Sequence, residues 1–110
     1  MTMDSLKELE EKITKFVSDR DWDQFHSPSN LAKSISIEAN ELLECFQWSD
    51  EIKDKKHVED ELADVINYCI QMAHVLNADI KEIVERKLEA TAKKYPIEKC
   101  KGKSTKYTDL

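Results

Sequence analysis

Apolar residues recur along this chain at steps of three and four, with polar residues between them. That period is the signature of helices that bury one face. From about Asp4 to Asp19 the apolar positions are Leu6, Leu9, Ile13, Phe16 and Val17. The motif Arg20-Asp21-Trp22-Asp23-Gln24-Phe25-His26-Ser27-Pro28 breaks the period and reads as an ordered connection with two aromatic anchors. Ser27 has the character of an N-cap, with Pro28 at the first helical position. A second helix is predicted from about Pro28 to Gln47, with Leu31, Ile35, Leu42 and Phe46 apolar. The polar stretch from Ser49 to Lys56 predicts a loop. A third helix, about His57 to Leu76, carries Leu62, Val65, Ile66, Cys69, Ala73 and Leu76. Asn77-Ala78-Asp79 separates it from a fourth, about Asp79 to Lys94, with Ile80, Ile83, Val84 and Leu88. Tyr95-Pro96 closes that helix, because the residue before a proline disfavours helical geometry. An irregular tail is expected beyond it. The pattern predicts an all-α chain.

Composition agrees: 36% of the 110 residues are charged and glycine occurs once, which is helix-like usage. The length allows one domain, placed at residues 1–96, with 97–110 as a tail. A chain this short buries a small share of its surface, so association with further copies would enlarge its core. The expected architecture is a helical hairpin that completes a four-helix bundle through oligomerisation.

Charge and cysteine usage narrow the function classes. The formal net charge is −6, which argues against a nucleic-acid polymer as partner. An acidic enzyme can still take a polyanionic substrate where metal ions neutralise both. The tail is locally basic, with Lys99, Lys101, Lys103 and Lys106 against Glu98 and Asp109. No apolar run approaches the roughly 18 residues of a membrane span. The N-terminus, Met-Thr-Met-Asp-Ser-Leu-Lys, lacks the pattern of a secretory signal. Cys45, Cys69 and Cys100 are an odd set without CxxC spacing, as expected of free thiols in a reducing cytoplasm.

The candidate chemistry lies in two acidic pairs, Glu38-Ala39-Asn40-Glu41 and Glu61-Leu62-Ala63-Asp64. Residues three apart on a helix share a face, so each pair aims both carboxylates at one region. Glu38 and Glu41 border the Leu31/Ile35/Leu42 stripe, and Glu61 and Asp64 border the Leu62/Val65/Cys69 stripe. If those stripes pack as an antiparallel hairpin, four acids converge at the edge of a core. Converging acids repel unless a cation sits among them, and hard divalent ions such as magnesium take oxygen ligands. A di-iron site would require Glu-x-x-His pairs. No histidine follows a glutamate by three residues: His57 and His74 follow Asp54 and Gln71 and read as surface residues. The rival from another class is a non-catalytic oligomerisation or partner-binding module whose acids are solvated.

Glu38-x-x-Glu41, nineteen residues, then Glu61-x-x-Asp64 resembles the signature of the MazG-like all-alpha nucleotide pyrophosphohydrolases. The surrounding words resemble the dCTP pyrophosphatase branch. They are Arg20-Asp21-Trp22-x-Gln24-Phe25-His26-x-Pro28-x-Asn30-Leu31, Glu41-Leu42-x-Glu44-x-Phe46-Gln47-Trp48, Lys94-Tyr95-Pro96 and the ending Lys106-Tyr107-Thr108-Asp109-Leu110. The resemblance covers about Leu9 to Leu110. It implies hydrolysis of a nucleoside triphosphate to the monophosphate and pyrophosphate, with Mg²⁺ held by Glu38, Glu41, Glu61 and Asp64. Glu41 or Glu38 would position or deprotonate the attacking water. Trp22, Trp48 and Tyr68 stand where that branch lines its base pocket, and His26 lies in the same loop as Trp22. Lys87, Lys94 and Lys106 would neutralise phosphate charge. The resemblance further implies a homodimer or homotetramer and a role in cleansing the nucleotide pool. Three positions depart from the branch: Ile13 replaces a pocket histidine of the vertebrate enzymes, Ser29 replaces a basic residue, and Thr91 an asparagine.

Overall fold

A computed structural model describes residues 4–110; Met1 to Met3, the start of the stretch read against a secretory signal, lie outside the described residues. The chain is all-α, with no strand among the described residues. Four principal helices are α1 (Ser5–Asp19), α2 (Pro28–Glu44), α3 (Lys55–Val75) and α4 (Ile80–Lys94). Each is capped by a short polar side chain. Asp4 accepts from Lys7 N (2.9 Å), Ser27 from Asn30 N (3.1 Å), Asp54 from His57 N (3.2 Å) and Asp79 from Glu82 N (3.0 Å). Such a cap stabilises a helix by about 1 kcal/mol. Asp54 is why α3 starts at Lys55, two residues before the predicted His57. At the other end α2 stops at Glu44, short of the predicted Gln47. Cys45, Phe46 and Gln47 instead donate to carbonyls three residues back, as in tight turns.

α1 and α3 end alike. Asp21 (φ 55°) and Asn77 (φ 53°) adopt left-handed backbone just past each helix. Trp22 N then donates to Val17 O and Ala78 N to Ala73 O, five residues back, while Asp21 N and Asn77 N donate to Ser18 O and His74 O. These are Schellman closures, usually made with glycine but open to Asp and Asn.

The chain forms two compact units, Met1–Ala78 and Asp79–Leu110. In the first, α3 packs against both α2 and α1. Buried apolar residues there are Val17, Leu31, Ile70 and Ala73, with Leu31 only 1% exposed. The predicted stripe on α3 is only partly covered: Leu62 and Ile66 remain 44% and 45% exposed, and Cys69 is exposed as well. In the second unit, Tyr95-Pro96 ends α4 as expected, but the tail beyond it is more ordered than the irregular segment the sequence suggested. A single helical turn, α5 (Ile97–Cys100), leads through Gly102 (φ 76°) to a 3-10 turn at Tyr107–Asp109. The tail folds back: Tyr107 N donates to the Tyr95 hydroxyl (3.1 Å) and the two rings meet edge to face. No described helix is long and apolar enough to cross a membrane.

Candidate functional site

The α2–α3 packing brings all four acids together. One carboxylate oxygen from each of Glu38, Glu41, Glu61 and Asp64 lies within 4.8 Å of the others. Glu38 and Glu61 are half-buried, whereas Glu41 and Asp64 are exposed. The cluster therefore has an inner pair set into the helix interface and an outer pair open to solvent.

Both inner carboxyls are pushed above the ordinary value of 4.5. For Glu38 the leading cause is burial, followed by a hydrogen bond with Glu41 and the negative charges of Glu41, Asp64 and Glu61. Burial also leads for Glu61, with the Glu41 hydrogen bond and the charges of Glu41 and Asp64 in the same direction. His57 opposes it, its Nδ1 lying 3.9 Å from Glu61 Oε1. Removing a carboxylate from water disfavours its charged form, and like charges add to the effect.

Glu38 Oε2 and Glu61 Oε2 are shut off from solvent and have no hydrogen-bond donor. Buried polar atoms left unpaired are costly, and an all-carboxylate set with two orphaned oxygens fits a hard divalent cation. These residues thus suit magnesium by donor chemistry as well as by arrangement. The histidine–glutamate pairing of di-iron sites does not occur in the cluster.

The remaining sequence-predicted residues fall in several places. Trp22 is fixed by the Schellman closure of α1 and sits edge-on to Phe16, with ring centroids 5.9 Å apart. Arg20 lies 3.6 Å over the Phe16 ring and donates to Phe16 O, which stiffens the same corner. The loop beyond is held by Gln24 Nε2 to Asp21 O and Asn30 Nδ2 to Phe25 O. His26, half-buried, lines a recess of about 30 Å³ with Ile13, Asp23, Gln71 and His74. Tyr68 is half-buried on α3, one helical turn beyond Asp64. Trp48 is 87% exposed, the most open of the large apolar side chains described. Lys87, Lys94 and Lys106 belong to the second unit, where Lys94 Nζ stands 4.7 Å over the Tyr107 ring.

Sequence reasoning passed over Gln71 and Asn67, and took His74 for a surface residue, as its exposure bears out. His74 reads as a surface residue but touches the recess and approaches Glu10 of α1, Nδ1 to Oε1 4.0 Å. Gln71 donates to Asn67 Oδ1 at 2.8 Å while its own Oε1 is buried without a donor. A Gln four residues after an Asn, among the apolar residues of the C-terminal half of α3, is the signal that was available.

Known proteins resemble this chain in sequence and fold. The profile of the MazG-like family matches residues 33–110. The chain is similar to dCTP pyrophosphatase 1 of Mus musculus, 31% identical over 115 aligned residues that cover 96% of this chain and 68% of the relative. The Homo sapiens protein of the same name is 30% identical over the same shares. Among solved structures, a pyrophosphatase from Archaeoglobus fulgidus superposes with a TM-score of 0.81 at 38% identity, covering 87% of this chain and 96% of that one. The profile spans about seven tenths of the sequence and both acidic pairs, and on that ground the chain belongs to the MazG-like family.

Proposed function

We propose that this protein is a magnesium-dependent nucleoside triphosphate pyrophosphohydrolase, converting dCTP or a modified pyrimidine deoxynucleoside triphosphate to the monophosphate and pyrophosphate. The observation that carries the reading is the four-carboxylate cluster with its two donorless buried oxygens. Membership of the MazG-like family, and relatives named as dCTP pyrophosphatases, support it.

In this reading Glu38, Glu41, Glu61 and Asp64 hold Mg²⁺. When bound, magnesium would supply charge neutralisation on the triphosphate and acidify water. Glu41, on the exposed side, or Glu38 orients the attacking water and takes its proton. The water attacks the α-phosphorus in line and pyrophosphate departs. Lys87, Lys94 and Lys106 offset phosphate charge. Trp22, Trp48 and Tyr68 pack against the base, with His26 at its edge; a flat base gains from aromatic contact, and few polar partners then fix its orientation.

The protein is proposed to work as a homodimer or homotetramer. Leu62, Ile66 and Cys69, spaced four and three apart, form an open apolar stripe on the same helix as two of the acids. Such a stripe beside the site suits a second copy that completes the bundle. Residues 1–96 form the proposed catalytic domain and 97–110 its basic extension. Three free thiols agree with a proposed cytoplasmic location, where the activity would cleanse the nucleotide pool.

The test is product analysis on dCTP, dUTP, dTTP and 5-substituted dCTP, with and without magnesium, for wild type and Glu41→Gln. Pyrophosphate release is expected from wild type only with metal. The variant should lose at least about a hundredfold in turnover while keeping its helical circular dichroism. Unimpaired turnover by Glu41→Gln would sink the assignment. Absence of both metal affinity and turnover in wild type would favour a non-catalytic module.

A further inference from the structure

Arg20, Phe16 and Trp22 order one another at the end of α1, although all three are exposed. The Arg20 guanidinium carbon stands 3.6 Å from the centre of the Phe16 ring, and its Nη1 donates to Phe16 O at 2.9 Å. The Phe16 and Trp22 rings meet at 69° with centroids 5.9 Å apart, and Arg20 is also 5.9 Å from the Trp22 ring. The backbone fixes the same corner. Asp21 turns left-handed (φ 55°), and Trp22 N donates to the carbonyl of the buried Val17 at 3.1 Å.

Burial returns little for this order. Phe16 and Trp22 keep 48% and 44% of their surface in solvent, while holding side chains in one rotamer costs entropy. The order is useful where a ligand must meet the indole, because a side chain already fixed is one that binding need not immobilise. Arg20 suits the task by its shape. A planar guanidinium lies flat on a ring while one of its N–H groups still bonds a carbonyl; a hydrated ammonium on a flexible stem does not combine the two. Phe16 passes the constraint on, since rings at this separation and angle attract edge to face.

We infer that Arg20 and Phe16 are positioning residues: they hold the Trp22 indole in one orientation, so that its uncovered surface is ready for the flat base of the nucleotide. The inference rests on the proposed phosphohydrolase reading, in which Trp22 packs against the base, and adds the residues that prepare that indole. Neither needs to touch substrate. Arg20 acts through Phe16, and Phe16 through Trp22. The effect belongs to binding and not to the chemical step, which the acids of α2 and α3 carry in that reading.

The test uses Arg20→Lys, Phe16→Leu and Phe16→Tyr, each checked for folding by thermal melts. Motion of the Trp22 indole is read by time-resolved fluorescence anisotropy, with Trp48→Phe in every protein so that Trp22 is the single emitter. KM and kcat for dCTP, and calorimetric binding of its non-hydrolysable α,β-imido analogue, are read without that change. Arg20→Lys and Phe16→Leu should each enlarge the fast component of the decay and raise KM and Kd about threefold to tenfold, with kcat near wild type. Phe16→Tyr, which keeps the ring, should match wild type throughout. A role for Arg20 as charge alone would survive in Arg20→Lys, so wild-type values there overturn the inference, as does an unchanged decay in Phe16→Leu. If one of these two variants does not fold, the other decides by the same readings. Weaker analogue binding by the variants supports the inference even where pyrophosphate release fails. A wild type that binds the analogue, with both variants within twofold of it, overturns the inference alone; a wild type that binds no nucleotide overturns it together with the reading.

Discussion

Replacing Glu38 by Gln should change stability in opposite directions with and without metal. In the metal-free protein, Glu38 shares a cluster whose carboxylate oxygens lie within 4.8 Å of one another. Two unit charges at that distance repel by about 0.9 kcal/mol in bulk water and about 3.5 kcal/mol at an effective dielectric constant of about 20. Glu41 and Asp64 are open to solvent, so the lower part of that range applies. Glu38→Gln removes the charge but keeps the volume and supplies an amide donor. The expected gain is about 1–2 kcal/mol, or roughly 4–10 °C in Tm for a chain of this size. Adding magnesium reverses the order. Wild type gains about 2.7 kcal/mol at a hundredfold excess over Kd, and the variant, lacking one anionic ligand, gains much less. The assay is a thermal melt at fixed protein concentration in chelator and along a magnesium titration. Wild type should start below the variant and cross above it. A variant less stable in chelator, or equal stabilisation of both proteins by magnesium, would refute the idea that the cluster is repulsive until a cation joins it.

Three further outcomes are expected from the same geometry. Since the carboxyls of Glu38 and Glu61 are raised above 4.5, the folded metal-free protein holds protons there that the unfolded chain has released. Their contribution to stability is full below about 4.5 and is lost as pH rises through the raised values; urea midpoints in chelator should fall over that window, and a rise across it would count against the burial argument. Trp48→Ala should raise KM for the nucleotide about tenfold, the usual worth of a base-stacking aromatic, with Tm nearly unchanged because the side chain is 87% exposed; an unaltered KM removes Trp48 from the base site. Ile66→Lys places a charge in the open stripe of α3 and should shift sedimentation toward a single copy, whereas an assembly indifferent to it must use another face.

How much of this was legible in sequence differs from element to element. The helices were, because apolar residues recur at three- and four-residue steps and Ser27 before Pro28 reads as a cap, whereas Asp54 went unread as the cap of α3. The acidic cluster was legible because a three-residue step on each of two neighbouring helices leaves little freedom in where the carboxylates meet. The ends of α1 and α3 fell within a residue of the expected Asp19 and Leu76, although Asp21 and Asn77 close them in a backbone conformation usual for glycine, while α2 stops three residues before the expected Gln47. The tail was under-read: its order depends on a ring contact between Tyr95 and Tyr107, twelve residues apart, which no local pattern encodes. Periodicity also overstated the core. It marks Leu62, Ile66 and Cys69 as apolar face without saying whether the same chain covers them. Gln71 was invisible for the opposite reason, as a lone polar residue gains meaning only once its donor is known to be missing.

The slender interior has a consequence for mutational tolerance. In most domains the residues least able to change are those deepest inside. Here, among the described residues, Leu31 is the one large side chain wholly enclosed, and three others are nearly so. If the proposed second copy covers the open stripe of α3, a saturation scan under selection for activity should therefore invert the usual map. Few intolerant positions will be interior, and many will be apolar residues such as Leu62 and Ile66 that look permissive on an isolated chain.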